Sequence, residues 1–320
     1  MMKEETVDKI TYDKQKEILK IPYIQLFIHL KFETTARPYF LEALIRGALG
    51  HHLKKLVCVN KKDICEECFV QKECAYYQAF ITEYSGELTF RHIQSVPHPY
   101  LLRYHDKGEN QGMVEIIIFQ KLFRHVHYLI YTLIEMGNKG IGRDNNYYDV
   151  TEIIDSARGK NIYQKENFSL INTETQEFDL FSENHEARHI EIEMISPLRL
   201  KNRGRFLQHI DFPTVIKYSL IRLTLLSQIY GEFQIHESSA RKLISDAQEI
   251  EIVGEDLRYR SRERFSSSQG QKLDMGGLIG RVEFRGELTD YMQVIQGASL
   301  FGLGKNTTFG CGRIRYQRLE

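Results

Sequence analysis

The run Gly50-His-His-Leu-Lys-Lys55 brings two histidines and two lysines within six residues. Cutting a ribose phosphodiester by its own 2′-hydroxyl needs a base for that proton, an acid for the departing 5′-oxygen and a cation beside the pentacoordinate phosphate. Histidine titrates in the range such exchange requires, and lysine supplies the charge. A helix counted from Leu41 puts His51 and Lys55 one turn apart on the border of an apolar face, with His52 nearer its centre. His51 is therefore the first candidate base, and Tyr39 is a candidate for positioning the hydroxyl. A solvated histidine pair, or His52 as a core residue, explains the same pattern without chemistry.

Two segments carry cations at every second position: Arg199, Lys201, Arg203 and Arg205, then Arg258, Arg260, Arg262 and Arg264. In extended chain this period sends all four side chains to one side, a rail suited to a phosphate backbone. The alternative is a solvated strand edge on which cations discourage aggregation. Near the C-terminus, Gly302, Gly304, Gly310 and Gly312 alternate with Lys305 and Arg313 in one loop. Glycine lets backbone N–H groups approach an anion, so the loop is a candidate phosphate cradle. It follows a helix and precedes a strand, unlike a Rossmann turn or a P-loop. A tight connection that needs glycine for its geometry is the alternative.

Four of the five cysteines fall in Cys58-x6-Cys65-x2-Cys68-x5-Cys74. Four soft ligands with a Cys-x2-Cys knuckle suit a structural zinc, and an iron–sulfur cluster or free thiols use the same residues. Cys311 reads as a packing residue. No Asp, Glu and His cluster stands at metal-ligand spacing, so no cofactor is expected for catalysis.

The elements that must hold these residues follow from periodicity. Tyr23–Phe32 reads as a strand, the segment from Leu41 as a helix after Pro38, Met113–Phe119 as a strand, Leu122–Ile134 as an amphipathic helix and Tyr147–Ile154 as a strand. The second half repeats the order: strand Ile190–Ile195, helix Pro213–Tyr230, a helical stretch near Ser239–Ile250, a strand or hairpin within Gly277–Leu288, helix Thr289–Leu300 and strand Ile314–Leu319. This duplication predicts an α+β protein of two tandem ferredoxin-like (RRM-like) domains. The expected domains are 1–160, with a Cys-rich insertion, and 180–320, with the glycine-rich loop, joined through the polar stretch Asp155–His185. With 320 residues, 42% hydrophobic, the chain can bury a substantial core. Its formal net charge is zero, so any nucleic-acid surface must come from local clusters. A polar N-terminal twenty residues and the lack of a long apolar run predict a cytoplasmic protein without a membrane partner.

The blocks LIRGALGHHLKKLVC (44–58), CEEC (65–68), CAYY (74–77), SPLRLK (196–201), Gly276-Gly277 with Gly280, and the loop from Gly302 to Gly312 occur in an order that resembles the RAMP-superfamily endoribonucleases that process CRISPR precursor RNA. The resemblance implies two tandem ferredoxin-like domains, a C-terminal glycine-rich loop that helps hold RNA, and metal-independent cleavage at the base of a repeat hairpin. The products it implies are a 5′-hydroxyl and a 2′,3′-cyclic phosphate. It places the catalytic histidine at His51 or His52, with Lys54, Lys55 and Tyr39 as partners. CRISPR repeat RNA is the implied ligand. Other members of the superfamily bind RNA without cutting it, as subunits of CRISPR effector complexes, which gives the alternative function.

Overall fold

A computed structural model describes residues 17–35, 40–60, 64–90, 96–142, 145–165, 169–170, 172–183, 185–202, 204–266 and 271–319. The first unit runs β1 (Ile18–Phe32), α1 (Leu41–Val57), β2 (Tyr100–Gly108), β3 (Gln111–Phe119), α2 (Val126–Lys139) and β4 (Tyr148–Asp155). Its antiparallel strands lie in the order β2-β3-β1-β4. A short strand β5 (Gln176–Asp179) pairs with the start of β1, Ile21 opposite Phe178. The second unit runs β6 (His189–Leu198), α3 (Phe212–Tyr230), β7 (Glu232–Gln234), α4 (Glu237–Asp246), β8 (Glu251–Arg260), β9 (Gly277–Arg285), α5 (Met292–Phe301) and β10 (Ile314–Arg318). Four of these strands form an antiparallel sheet in the order β8-β9-β6-β10, while β7 crosses to pair with β1.

Strand β1 shows why the chain is built in layers. Leu19, Ile21 and Tyr23 point into one core, and after a change of phase Ile24, Leu26, Ile28 and Leu30 point into another. Strand β3 does the same at every residue, with Val114, Ile116 and Ile118 on one face and Ile117 and Phe119 on the other. Both faces of this sheet are therefore covered, which is why MVEIIIF is apolar on both faces except at Glu115 rather than alternating. Helices α1 and α2 cover one face; α3 and α5 of the second unit cover the other, where Phe119 stacks on Tyr230 at 5.5 Å and Tyr23 meets Phe301 edge-on at 5.4 Å. The second sheet closes the same core with Ile190, Ile192, Val282 and Phe284. Its outer face is polar, held by pairs such as Arg281 with Glu191 at 3.3 Å.

Local chemistry sets the helix starts. Asp211 caps α3 by accepting a hydrogen bond from the Thr214 amide at 2.9 Å, and Pro213 occupies the first turn. Strand β8, which the sequence left between a helical stretch and a hairpin, is an edge strand paired with β9 from Glu251 to Arg260. The expected helix near Ser239–Ile250 ends as α-helix at Asp246. Pro38 and Tyr39 lie outside the described residues.

Candidate nucleic-acid interface

The pairing registers bring three basic segments to one end of the second sheet. Leu278 at the start of β9 faces Leu198 at the end of β6, Gly277 faces Arg260 at the end of β8, and Arg199 bridges to Gly304 in the terminal loop. At this end Lys201, Arg205, Arg258, Arg260 and Lys305 are exposed.

Neither rail is continuous. Arg199 is 4% exposed; its guanidinium donates to the Gly276 carbonyl and lies 4.3 Å over the Phe206 ring. It locks the hairpin in place rather than facing solvent. The chain beyond it folds into a hairpin, Lys201–Asn202 with Arg205–Phe206, so the extended geometry that would align four side chains is broken at Gly204. In the second rail Arg258 and Arg260 lie on the exposed edge of β8, but Arg262 turns inward over the Phe40 ring at 3.9 Å. Arg203 and the Arg264 side chain lie outside the described residues.

The terminal loop is a packed connection rather than an open cradle. The amides of Leu303, Lys305, Phe309, Gly310, Cys311 and Gly312 already donate to carbonyls, Lys305 to Arg199 at 3.1 Å and Gly312 to Pro197 at 3.0 Å among them. Gly312 has φ +70°, and a side chain there would strike the Leu303 carbonyl; Gly310, at φ +80°, packs on Glu42 of α1. Gly302 is buried, Gly304 half-buried, and Cys311 is 2% exposed, as a packing residue should be. The exposed charge that the loop offers an anion is the side chain of Lys305. Arg313 is half-buried and donates to His105 Nδ1 at 3.0 Å.

Helix α1 meets this loop by its first two turns. Arg46 lies 4.1 Å over the Phe309 ring, and its guanidinium contacts His98 Nε2 at 3.3 Å. Burial, then the charge of Arg46, pushes the His98 imidazole down to about 4, so this ring stays neutral. Glu42 is held above the usual carboxylate range by burial, against the opposing charges of Arg262 and Arg313. His51 lies nine residues beyond Glu42, about 13 Å along the helix axis. It is exposed, and its ring meets that of half-buried His52 edge-on at 5.4 Å. Burial lowers the His52 pKa, and His51, Lys139 and Lys55 add to the effect. Lys55 is exposed, while Lys54 is half-buried with its ammonium 5.3 Å over the Tyr76 ring.

Sequence reading missed the groups that tie the two units together. On β2, Arg103 donates to Glu115 Oε1 at 3.0 Å and to the carbonyls of Ser299 and Leu300 at the end of α5. His105 contacts Glu115 Oε2 at 3.0 Å through Nε2 while accepting from Arg313 at Nδ1. This fixes the tautomer in a chain running from Arg313 through His105 to Glu115. Arg222, buried, donates to the Phe301 carbonyl and the Thr307 hydroxyl. One signal was present in the sequence: a lone glutamate inside MVEIIIF, and Arg103 and His105 two apart on the neighbouring strand.

Cys58, Cys65, Cys68 and Cys74 line one depression after α1. Cys58 is exposed and the other three are half-buried. Among the described residues no group of three or more His, Cys, Asp or Glu side chains stands as a ready coordination set. Among them too, no helix is long and apolar enough to cross a membrane.

Residues 192–314 match the family model described as CRISPR-associated endoribonuclease Cas6, and residues 21–176 match the model AF_1859_N, an N-terminal domain. A protein of Archaeoglobus fulgidus whose function is uncharacterized is 24% identical over 298 residues, covering 91% of this chain and 96% of that one. Among solved structures, Thermus thermophilus Cas6 superposes with a TM-score of 0.55 at 10% identity, covering 93% of this chain and 99% of its own. A second Cas6, solved as a product complex, gives 0.53 at 14% identity, covering 93% of this chain and 100% of its own. These structural likenesses are likenesses of fold. The chain thus shares its fold with solved Cas6 proteins, and its residues 192–314 are similar to the CRISPR-associated endoribonuclease model. Cas6 is the family whose model the second unit of this chain matches.

Proposed function

We propose that this protein binds CRISPR repeat RNA and cleaves precursor transcripts into guide RNAs without a catalytic metal, by attack of the 2′-hydroxyl. The products would be a 5′-hydroxyl and a 2′,3′-cyclic phosphate. The observation that carries this reading is a coincidence of place. The Cas6 match falls on the unit whose sheet end gathers Lys201, Arg205, Arg258, Arg260 and Lys305. Cations there neutralise phosphates and hold the strand, and the exposed His51 supplies the base or acid with Lys55 one turn on. His52 is the other candidate, its lowered pKa suiting a base that must be neutral, and Tyr39 would orient the hydroxyl. We read each β-α-β-β-α-β unit as ferredoxin-like, within domains 1–160 and 180–320. Each strand order places the first and third strands centrally, and this supports the reading.

One observation favours a second reading, a RAMP subunit that binds RNA within an effector complex and does not cut it. His51 stands about 13 Å of helix away from the terminal loop, so RNA must span that distance to reach both. The deciding test is cleavage of a labelled repeat RNA, all-ribose or with a single 2′-deoxy substitution, by wild type, His51→Ala and His52→Ala. A unique cut that the deoxy sugar blocks and one histidine variant loses supports the enzyme. Tight binding without cutting by all three supports the binding subunit.

A further inference from the structure

We infer that Cys58, Cys65, Cys68 and Cys74 bind one structural zinc ion. This inference does not depend on the RNA chemistry above. Among the described residues from Cys58 to Cys74 none is buried, and Phe69 and Val59 are 88% and 62% exposed. The backbone is nevertheless ordered into successive tight turns. The amide of Cys68 donates to Cys65 at 3.2 Å, that of Gln71 to Cys68 at 3.0 Å, and that of Cys74 to Gln71 at 3.3 Å. A segment with this regularity and no apolar core needs another source of cohesion, and metal ligation is the usual one for units too small to bury a core.

The donor chemistry selects the ion. All four thiols line one depression, and among the described residues no carboxylate lines it; its other walls include Val57, Ile64, Val70 and Tyr77. Four thiolates suit magnesium or calcium poorly, since those ions favour charged oxygen ligands, and give a full soft set to zinc. On binding, four S–H bonds release four protons to solvent as four Zn–S bonds form, leaving a net charge of minus two. Lys54, which lines the same depression, offsets part of that charge. The thiols do not stand at coordination distance beforehand, so the ion draws the turns together as it binds. Because Cys58 follows the last residue of α1 directly, the loaded site also fixes the helix end that carries His51 and His52.

The test uses the full-length chain expressed with zinc in the medium. Elemental analysis after gel filtration should give about one zinc per chain. The Cys65→Ser/Cys68→Ser double variant should retain at least about tenfold less, and Cys311→Ala should retain the wild-type amount. A second arm needs no variant. Chelation should lower the wild-type melting temperature by several degrees, and adding cobalt(II) should restore it with a thiolate-to-cobalt charge-transfer band. Metal-free protein whose surface thiols react at the rate of free cysteine would overturn the assignment. So would iron bound with acid-labile sulfide, or a melting curve that chelation leaves unchanged.

Discussion

Arg199 and Arg258 look alike in the sequence, each opening a run of alternating cations, yet one is buried against a carbonyl and a ring while the other lies on an open strand edge. Their variants should therefore fail differently. Arg199→Ala should lower the melting temperature by leaving the Gly276 carbonyl and the hairpin without their partner, at a cost of about 1–3 kcal/mol. Arg258→Ala should leave stability within about 0.5 kcal/mol and weaken RNA binding instead. The histidines divide in the same way. If His51 takes the proton, His51→Ala should cost about 10²–10⁴ in cleavage rate with binding retained, as single-turnover kinetics would show; equal rates for wild type and variant would remove His51 from the mechanism. Glu115 carries a pH prediction. Burial alone would raise its pKa, but the hydrogen bond from His105 and the charge of Arg103 prevail and bring it down to about 2. In the unfolded chain the same carboxyl takes up a proton near the ordinary value of 4.5. Its stabilisation is thus complete above that value and lost as pH falls from there toward 2. Thermal melts across that window should fall steeply for wild type and less so for Glu115→Gln.

At the scale of elements, the terminal loop and helix α1 behave as one unit. The loop's glycines serve geometry, so Gly312→Ala should destabilise the protein by about 1–3 kcal/mol through strain at positive φ and collision with Leu303. Chemical denaturation would measure it, and a neutral result would show that the loop can be rebuilt without glycine. Six of the loop's amides are unavailable to phosphate because folding uses them first; a free helix-to-strand loop and a docked one have the same sequence pattern. Strand β8 was hidden for a related reason. It is an exposed edge without an apolar stripe, and edge strands owe their conformation to the neighbour they pair with rather than to their own residues.

For the whole molecule, zero net charge and a local basic edge make a clear statement about ionic strength. RNA affinity should fall as salt rises, with a slope reduced by about one to two in the Arg258→Ala/Arg260→Ala double variant; a salt-insensitive affinity would deny the edge its role. Cleavage should persist in EDTA, and strict dependence on added magnesium would contradict the proposed mechanism. The layers that bring these parts together were partly legible in advance. Periodicity determined the main helices, the central strands, their repeated order and the apolar faces, and spacing the cysteine knuckle, because each is set by residues close in sequence. Only tertiary structure decided that β1 changes face midway to serve two cores, and that Arg103, His105, Glu115 and Arg313 join two units across 210 residues of chain. It alone distinguished the exposed arginines from the buried ones. Burial and pairing depend on which distant surface arrives opposite a residue, and a single local pattern of charge is compatible with either outcome.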